Sequence, residues 1–245
     1  MDYVDRMVGR SARFEPDTLL KFTPLSRPVQ EHLIRVYFTL ACALGVAALG
    51  TWANLLTGFG GMIGILGFVV CASWLASLPP SPSNLNKRYM LLGGAAFSQG
   101  ATLGPLVAAT LSVDPALLLT AFAGTAAVFT CFSVSAMLSQ RRSWLYLGGT
   151  LSSAISLFAM MRLATWMFGG RAMLFQAELY GGLIVFLGYV LFDTQVIIEK
   201  AYAGNKDHIK AALDLFVDFV AIFVRMLVLL LQNDAKKDER RRKRR

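Results

Sequence analysis

The feature that most constrains this chain is a series of long apolar runs between residues 33 and 232. A helix needs about 20 apolar residues to cross the hydrocarbon core of a bilayer. Runs of about this length predict seven membrane-spanning helices, at 33–55, 61–78, 89–110, 116–138, 144–168, 174–198 and 208–232. The connections are too short to hold a soluble domain. We therefore expect an all-α, polytopic membrane protein that passes through the bilayer several times.

Composition and charge agree with this class. Hydrophobic residues make up 56% of the 245 residues and charged residues only 16%, whereas a soluble globular chain carries about 25% charged residues. The net charge of +9 comes mainly from tails and short loops, including the basic run 240–245. This distribution is typical of the cytosolic flanks of membrane helices. It predicts the lipid bilayer, not nucleic acid, as the partner of the basic residues.

The loop charges also predict the orientation. Lys and Arg concentrate before the first helix and in the loops at 79–88, 139–143 and 199–207, so we expect the N-terminus in the cytosol. Seven full spans place the C-terminus on the opposite face, whereas its basic charge favours the cytosol, and six and seven spans both stay open. The predicted organisation is a cytosolic tail at 1–32, a transmembrane helical bundle at 33–232 and a basic C-terminal tail at 233–245.

Small residues recur where helices are expected to touch. The patterns Gly60-x-x-x-Gly64 and Gly100-x-x-x-Gly104 each place two glycines on one helix face, which permits close backbone approach. Pro105 lies well inside the third segment and is expected to kink it. We assign these residues to packing and give them no chemistry.

Three aspartates inside the last two apolar segments are the candidate functional residues. A charge at the centre of a membrane helix costs about 2.5–3.5 kcal/mol on insertion scales, so Asp193, Asp214 and Asp218 need a reason to be there. Asp214 and Asp218 are four residues apart and share a helix face. Arg225, seven residues beyond Asp218, falls on that face too. We expect this face to point into the bundle or a water-filled cavity.

The depths of these aspartates can be counted from the hairpin turn near Gly204. At 1.5 Å per residue, Asp193 and Asp214 lie at similar depth, and Asp218 lies about 6 Å deeper. Two carboxylates close together in a low dielectric resist double ionisation and tend to share one proton. Such a pair is a proton-sensitive switch or a cation site, and calcium favours oxygen ligands of this kind. A structural, hydrogen-bonded polar patch is the alternative.

Five other residues have expected roles outside this site. Arg162 and Glu178 lie near predicted helix ends on the far side, where they are expected to pair with each other or to meet lipid headgroups. Cys42, Cys71 and Cys131 lie in apolar runs without metal-ligand spacing. We expect these cysteines to be small core residues.

The blocks around the aspartates carry a family resemblance. They are Leu-Phe-Asp-Thr-Gln at 191–195, Ile-Ile-Glu-Lys at 197–200 and Asp-Leu-Phe-Val-Asp-Phe at 214–219. Further matching blocks are Asp114-Pro115, Thr120-Ala121-Phe122, Phe129-Thr130-Cys131-Phe132, Arg141-Arg142-Ser143, Leu147-Gly148-Gly149 and Phe175-Gln176-Ala177. These blocks lie in order between about residues 30 and 233. The chain therefore resembles the Bax inhibitor-1 family of transmembrane Bax inhibitor motif proteins, in particular its plant-type members.

The resemblance implies a bundle of six or seven membrane helices with the last helix near the centre. It implies residence in the endoplasmic reticulum membrane and suppression of programmed cell death, with links to stress response and plant defence. It also implies a pH-sensitive calcium leak, or proton-coupled calcium exchange as a variant. The family's di-aspartyl proton sensor falls on Asp193 and Asp218, which become the expected calcium-contacting residues, and Asp214 ranks third. Calcium is the transported species, and no cofactor is expected.

Two features modify what the resemblance implies. Bacterial relatives use an arginine on the second helix as a latch to the aspartates, but the segment 61–78 contains no Arg or Lys. Arg225 is a possible gating partner instead. The basic tail is expected to lie near anionic lipid, or to be a basic retrieval or calmodulin-type site of the kind that plant members have, and both uses require a cytosolic tail. Other membrane proteins are further expected partners of this tail.

Two other classes of function compete with the ion leak. Intramembrane aspartyl proteases also place one Asp on each of two neighbouring helices, but their Gly-x-Gly-Asp motif is absent before Asp193, Asp214 and Asp218. We therefore predict that the protein is not an enzyme. A non-conducting membrane scaffold that regulates cell death by binding partner proteins remains the alternative.

Overall fold

The computed structural model describes residues 26–58, 60–139, 147–168 and 171–242. Within these ranges the chain is helical and contains no strand. The helices are α1 (Arg27–Thr57), α2 (Met62–Ser77), α3 (Leu85–Val113), α4 (Pro115–Leu138), α5 (Leu147–Phe168), α6 (Arg171–Tyr202) and α7 (His208–Arg242), with a short 3₁₀ turn at Pro82–Asn84. Each α-helix overlaps one predicted segment, so the all-α prediction is confirmed. The predicted roles of residues 1–25, 140–146 and 243–245 lie outside the described residues.

Four of the described helices are long and apolar enough to cross a bilayer. These spans are Arg27–Thr57, Pro115–Leu138, Leu147–Ala164 and Phe175–Tyr202. α2 is apolar but has only 16 residues, which is shorter than the roughly 20 that a full crossing needs. The polytopic membrane class is confirmed, and the number of complete crossings stays a prediction.

The last helix lies at the centre of the bundle, as the resemblance implied. α7 contacts α1, α2, α3, α4 and α6. Its residues Leu215, Phe216, Ile222 and Leu227 are completely buried. The helix continues to Arg242, so residues 233–242 of the predicted basic tail extend α7.

Glycines bring α1, α2 and α3 into close contact. The four glycines of the two predicted patterns all lie where a Cβ would collide with a neighbour: Gly60, Gly64, Gly100 and Gly104. At Gly100 the neighbour is the backbone carbonyl of Ala47 on α1. The hydroxyl of Thr51 donates a hydrogen bond of 2.9 Å to the carbonyl of Gly100 across the same contact. The prediction that these glycines serve packing is confirmed, and α1, α2 and α3 form one tightly packed unit.

Local signals place the helix ends. The Asp114 side chain accepts a 2.8 Å hydrogen bond from the Ala116 N–H and caps α4, which begins at Pro115. Gly204 has a φ of 88° in the turn between α6 and α7, a conformation that favours glycine. The predicted hairpin of the last two helices is thereby confirmed. α3 continues through Pro105.

The prediction that the cysteines are core residues is wrong for two of them. Cys42 and Cys131 are exposed on the outside of the bundle, and Cys71 is half-buried. Lipid tails are as apolar as a protein core, so an apolar run does not reveal which face points inward.

Candidate functional site

A polar cavity of about 330 Å³ lies between α1, α6, α7 and the turn that joins α6 to α7. Its polar lining consists of His32, Asp193, Lys200, Asn205, Asp207, Lys210 and Asp214. The turn belongs to the loop 199–207, whose charge predicts a cytosolic position. The cavity therefore extends from this end of the bundle to Asp193 on α6.

Asp193 and Asp218 form a carboxyl pair between α6 and α7. Their side chains hydrogen-bond each other, and Asp218 is only 4% exposed. No N–H or O–H group in the described part of the chain reaches the Oδ2 atom of Asp218. Two carboxyl groups can form a hydrogen bond only when one of them carries a proton. A pair in this geometry would share one proton, and loss of that proton would leave two like charges side by side in a poorly solvated place. The role of Asp193 and Asp218 as a proton sensor stays a prediction.

The bounds of α6 and α7 and the direction of their side chains explain why Asp193 meets Asp218, although counting from Gly204 places Asp193 level with Asp214. Each Cα–Cβ bond of an α-helix tilts toward the N-terminus of its helix. Because α6 and α7 run antiparallel, the Asp193 side chain leans away from the connecting turn and the Asp218 side chain leans back toward it. Asp193 also lies nine residues before the end of α6 and Asp218 ten residues after the start of α7, so their backbones lie at nearly the same depth and the carboxyl groups converge.

Asp214 lies one helical turn nearer the entrance than Asp218. It is half-buried and lines the cavity. Its carboxylate is in electrostatic contact with the ammonium groups of Lys200 and Lys210, and it acts on the Asp193–Asp218 pair through its charge. Asp214 therefore belongs to the entrance of the cavity and not to the hydrogen-bonded pair.

We predict that Asp214→Asn changes the pH dependence of calcium leak less than a change in the pair does. The substitution removes one negative charge but leaves the hydrogen bond between Asp193 and Asp218 intact. We expect the midpoint of the pH response to move by less than about one pH unit. Calcium flux from liposomes that contain the purified variant measures the midpoint. A loss of pH dependence as large as that of Asp218→Asn would move Asp214 into the sensor.

Arg225 lies on the α7 face that carries Asp218, but away from the carboxyl pair. Its guanidinium lies 4.4 Å from the centroid of the Phe186 ring and donates a 2.9 Å hydrogen bond to the carbonyl of Ala221. Gly182 makes room for it, because a Cβ there would lie 2.5 Å from Nε of Arg225. The gating role of Arg225 stays a prediction.

An ion pair occupies the far side of the bundle. Nε of Arg162 on α5 lies 2.6 Å from a carboxylate oxygen of Glu178 on α6. The expectation that these two residues pair is confirmed. Both residues also contribute to the electrostatic surroundings of Arg225, so charged groups of α5, α6 and α7 gather at this end.

Sequence reasoning missed a second polar cluster at the rim of the cavity. Arg88 in the first turn of α3 is only 3% exposed, and its Nη2 lies 2.6 Å from Oδ2 of Asp207. The neighbouring Tyr89 hydroxyl lies 2.6 Å from Nε2 of His208 at the start of α7. The apolar pattern starts the third span at residue 89 and so places Arg88 in a loop, whereas α3 begins at Leu85. The two contacts join positions 119 residues apart, which no local pattern connects.

Asp207 has two roles at the start of α7. Its Oδ1 accepts a hydrogen bond of 3.2 Å from the N–H of Lys210 and caps the helix, while Oδ2 accepts from Arg88. Burial acts to raise the pKa of Asp207, but the hydrogen bonds and charge of Arg88 and the Lys210 N–H outweigh it and hold the pKa below its ordinary value of 3.8. The stability that this bridge contributes is therefore complete above about pH 4 and is lost as pH falls further. Titration of Asp207 in this bridge therefore does not account for a pH response of the protein near neutrality.

The described residues include no larger cluster of metal-ligating side chains. No group of three or more His, Cys, Asp or Glu side chains is placed to hold one in the described part of the chain. Calcium takes six to eight oxygen ligands, and the pair supplies two carboxyl groups. The contact of calcium with Asp193 and Asp218 stays a prediction.

Comparisons with known proteins give a consistent family match. Residues 29–235 match the family Bax1-I, described as inhibitor of apoptosis-promoting Bax1. Bax inhibitor 1 of Arabidopsis thaliana is 48% identical over 222 residues, which cover 91% of this chain and 89% of that protein. Bax inhibitor 1 of Oryza sativa subsp. japonica is 44% identical over 230 residues, or 94% and 92% of the two chains. The human protein of the same name is 44% identical over 229 residues, or 93% and 95%.

Proposed function

This chain belongs to the Bax inhibitor-1 family, and we propose that it suppresses programmed cell death through a pH-sensitive calcium leak in the endoplasmic reticulum membrane. Its relatives named Bax inhibitor 1 and its family description support the role in cell death. The polytopic bundle supports a membrane location. The leak, its aspartate gate and the endoplasmic reticulum are the finer parts of the proposal.

The observation that carries the leak is the hydrogen-bonded pair of Asp193 and Asp218 inside the bundle. A charged side chain within a membrane helix is retained mainly where it serves an ion pathway or a proton relay. When the pair keeps its shared proton, the carboxyl groups bind each other and α6 stays close to α7. When the proton leaves, repulsion between the two carboxylates favours separation of the helices and gives an entering cation two anionic ligands.

The polar cavity supplies the approach to this gate. Asp207 and Asp214 line it above Asp193, so a cation meets carboxylates along the way. Lys200 and Lys210 offset part of this charge, which favours brief occupancy over tight binding. Proton-coupled calcium exchange uses the same residues, with one proton released for each cation that enters.

At the C-terminal end of the chain, the basic residues of the tail 233–245 are proposed to contact anionic lipid or calmodulin.

The proposal predicts calcium flux by the purified protein alone. Liposomes that contain the full chain and a trapped calcium indicator should respond to external calcium at a rate that changes with pH. Asp114→Asn is the matched control, because asparagine still caps α4 and the residue lies outside the polar cavity. Absence of flux at every pH, with protein that remains folded, would overturn the leak and leave the non-conducting scaffold as the function.

A further inference from the structure

An ion pair between the buried Arg88 and the half-buried Asp207 bridges two parts of the bundle at the rim of the polar cavity. Arg88 belongs to α3, which is locked to α1 and α2 through their glycine contacts. Asp207 belongs to the turn of the α6–α7 hairpin, which carries the carboxyl pair. The cavity lies between these two parts, since His32 of α1 forms one wall and α6 and α7 form the others.

We propose that Arg88 is a positioning residue that clamps the α6–α7 hairpin onto α3 and keeps the mouth of the cavity narrow. Widening the mouth requires the hairpin to move away from α1 and α3, and the bond between Arg88 and Asp207 opposes that movement. Tyr89 and His208 are the next residues after Arg88 and Asp207, and the contact between them opposes the same movement. The clamp acts on entry to the cavity, and its role in calcium leak rests on the function proposed above.

The bonding of Arg88 indicates that the clamp can open. Its guanidinium is almost fully buried, yet Nε has no hydrogen-bond partner in the described part of the chain. A buried donor without a partner carries a desolvation cost that the single bond to Asp207 does not fully offset. The closed state is therefore less stable than its tight geometry implies.

Asp207 allows the ion pair to be removed without removing the helix cap. Asp207→Asn keeps an oxygen that can accept from the N–H of Lys210, because asparagine caps helices as well as aspartate does. It removes the charge that Arg88 needs. Arg88→Ala removes the clamp from the other side, and Lys87→Ala is the matched control because Lys87 is the exposed neighbour of Arg88.

The test measures access to the cavity directly. Ala211 lines the cavity and is 8% exposed, so Ala211→Cys, in a chain whose three native cysteines are replaced by alanine, reports access to an impermeant thiol reagent in lipid nanodiscs. Arg88→Ala and Asp207→Asn should each speed modification at least about tenfold, and Lys87→Ala should leave the rate unchanged. The double variant Arg88→Ala/Asp207→Asn should be no faster than the single variants, because both remove one interaction.

Other outcomes separate a clamp from a merely structural residue and from the leak. Unchanged modification rates in Asp207→Asn, or fully additive rates in the double variant, would overturn the clamp. Arg88→Lys keeps the charge and should therefore keep most of the slow modification rate that Arg88→Ala loses. If the fold instead required the exact shape of arginine, Arg88→Lys would be modified as fast as Arg88→Ala. Faster modification in a protein that conducts no calcium supports the clamp and refutes the leak. Calcium leak by the wild type, together with unchanged modification rates in the clamp variants, supports the leak and refutes the clamp.

Discussion

Calcium leak through the Asp218→Asn variant should no longer depend on pH. Asparagine has the shape of aspartic acid and cannot lose a proton, and its amide can donate permanently to Asp193. The variant therefore keeps the bond between α6 and α7 that the wild type keeps only while the pair holds its proton. We expect the ratio of the leak rate at neutral pH to that at acid pH, which is above one in the wild type, to fall to about one. Liposome flux measured over a pH series with equal amounts of folded protein tests this result.

The reciprocal substitution provides the internal check. Asp193→Asn removes the other half of the same pair and should abolish the pH dependence as well, because one proton shared by two carboxyl groups belongs to both. Combining the substitutions should add nothing further to the loss. If both single variants keep the pH dependence of the wild type, the sensor lies elsewhere and the pair is a structural polar patch.

The sequence was sufficient to place the helices, because the length of an apolar run and the chemistry of its ends are local properties. All seven predicted segments correspond to helices, and the turn lies at Gly204 as expected. It was not sufficient to orient them. Cys42 and Cys131 lie in runs as apolar as the core, yet they face outward, because hydrocarbon surrounds the bundle and removes the contrast that marks the inside of a soluble protein.

The candidate residues followed from the cost of a buried charge, but their pairing followed only from the family resemblance. The cost of a buried charge singles out the three aspartates, and the family resemblance selects Asp193 and Asp218. Counting residues from Gly204 slightly favours Asp214 as the partner, because it treats the turn at 203–207 as helix and ignores the tilt of side chains. The bridge between Arg88 and Asp207 lay beyond such reasoning, since it depends on how α3 packs against the last hairpin.

The second large effect expected is a loss of stability in Gly100→Ala. A single methyl group at this position would collide with the backbone carbonyl of Ala47, and a backbone cannot rotate aside as a flexible side chain can. α1 and α3 must therefore move apart, which also lengthens the hydrogen bond from Thr51 to Gly100. We expect the free energy of unfolding to fall by about 3 kcal/mol, the upper end of the range for overpacking. Thermal unfolding of the purified protein in detergent measures this change.

Gly93→Ala is the matched control, because it makes the same chemical change on the same helix. A Cβ at Gly93 meets nothing within 4 Å, so only the higher helix propensity of alanine acts there, worth at most about 1 kcal/mol in favour of the fold. The two variants should therefore shift the unfolding temperature in opposite directions.

Because α3 also carries Arg88, loosening its contact with α1 should weaken the support of the clamp, and Gly100→Ala should increase access to a cysteine at position 211. Equal stability of the two variants would show that α1 and α3 are not held together at Gly100.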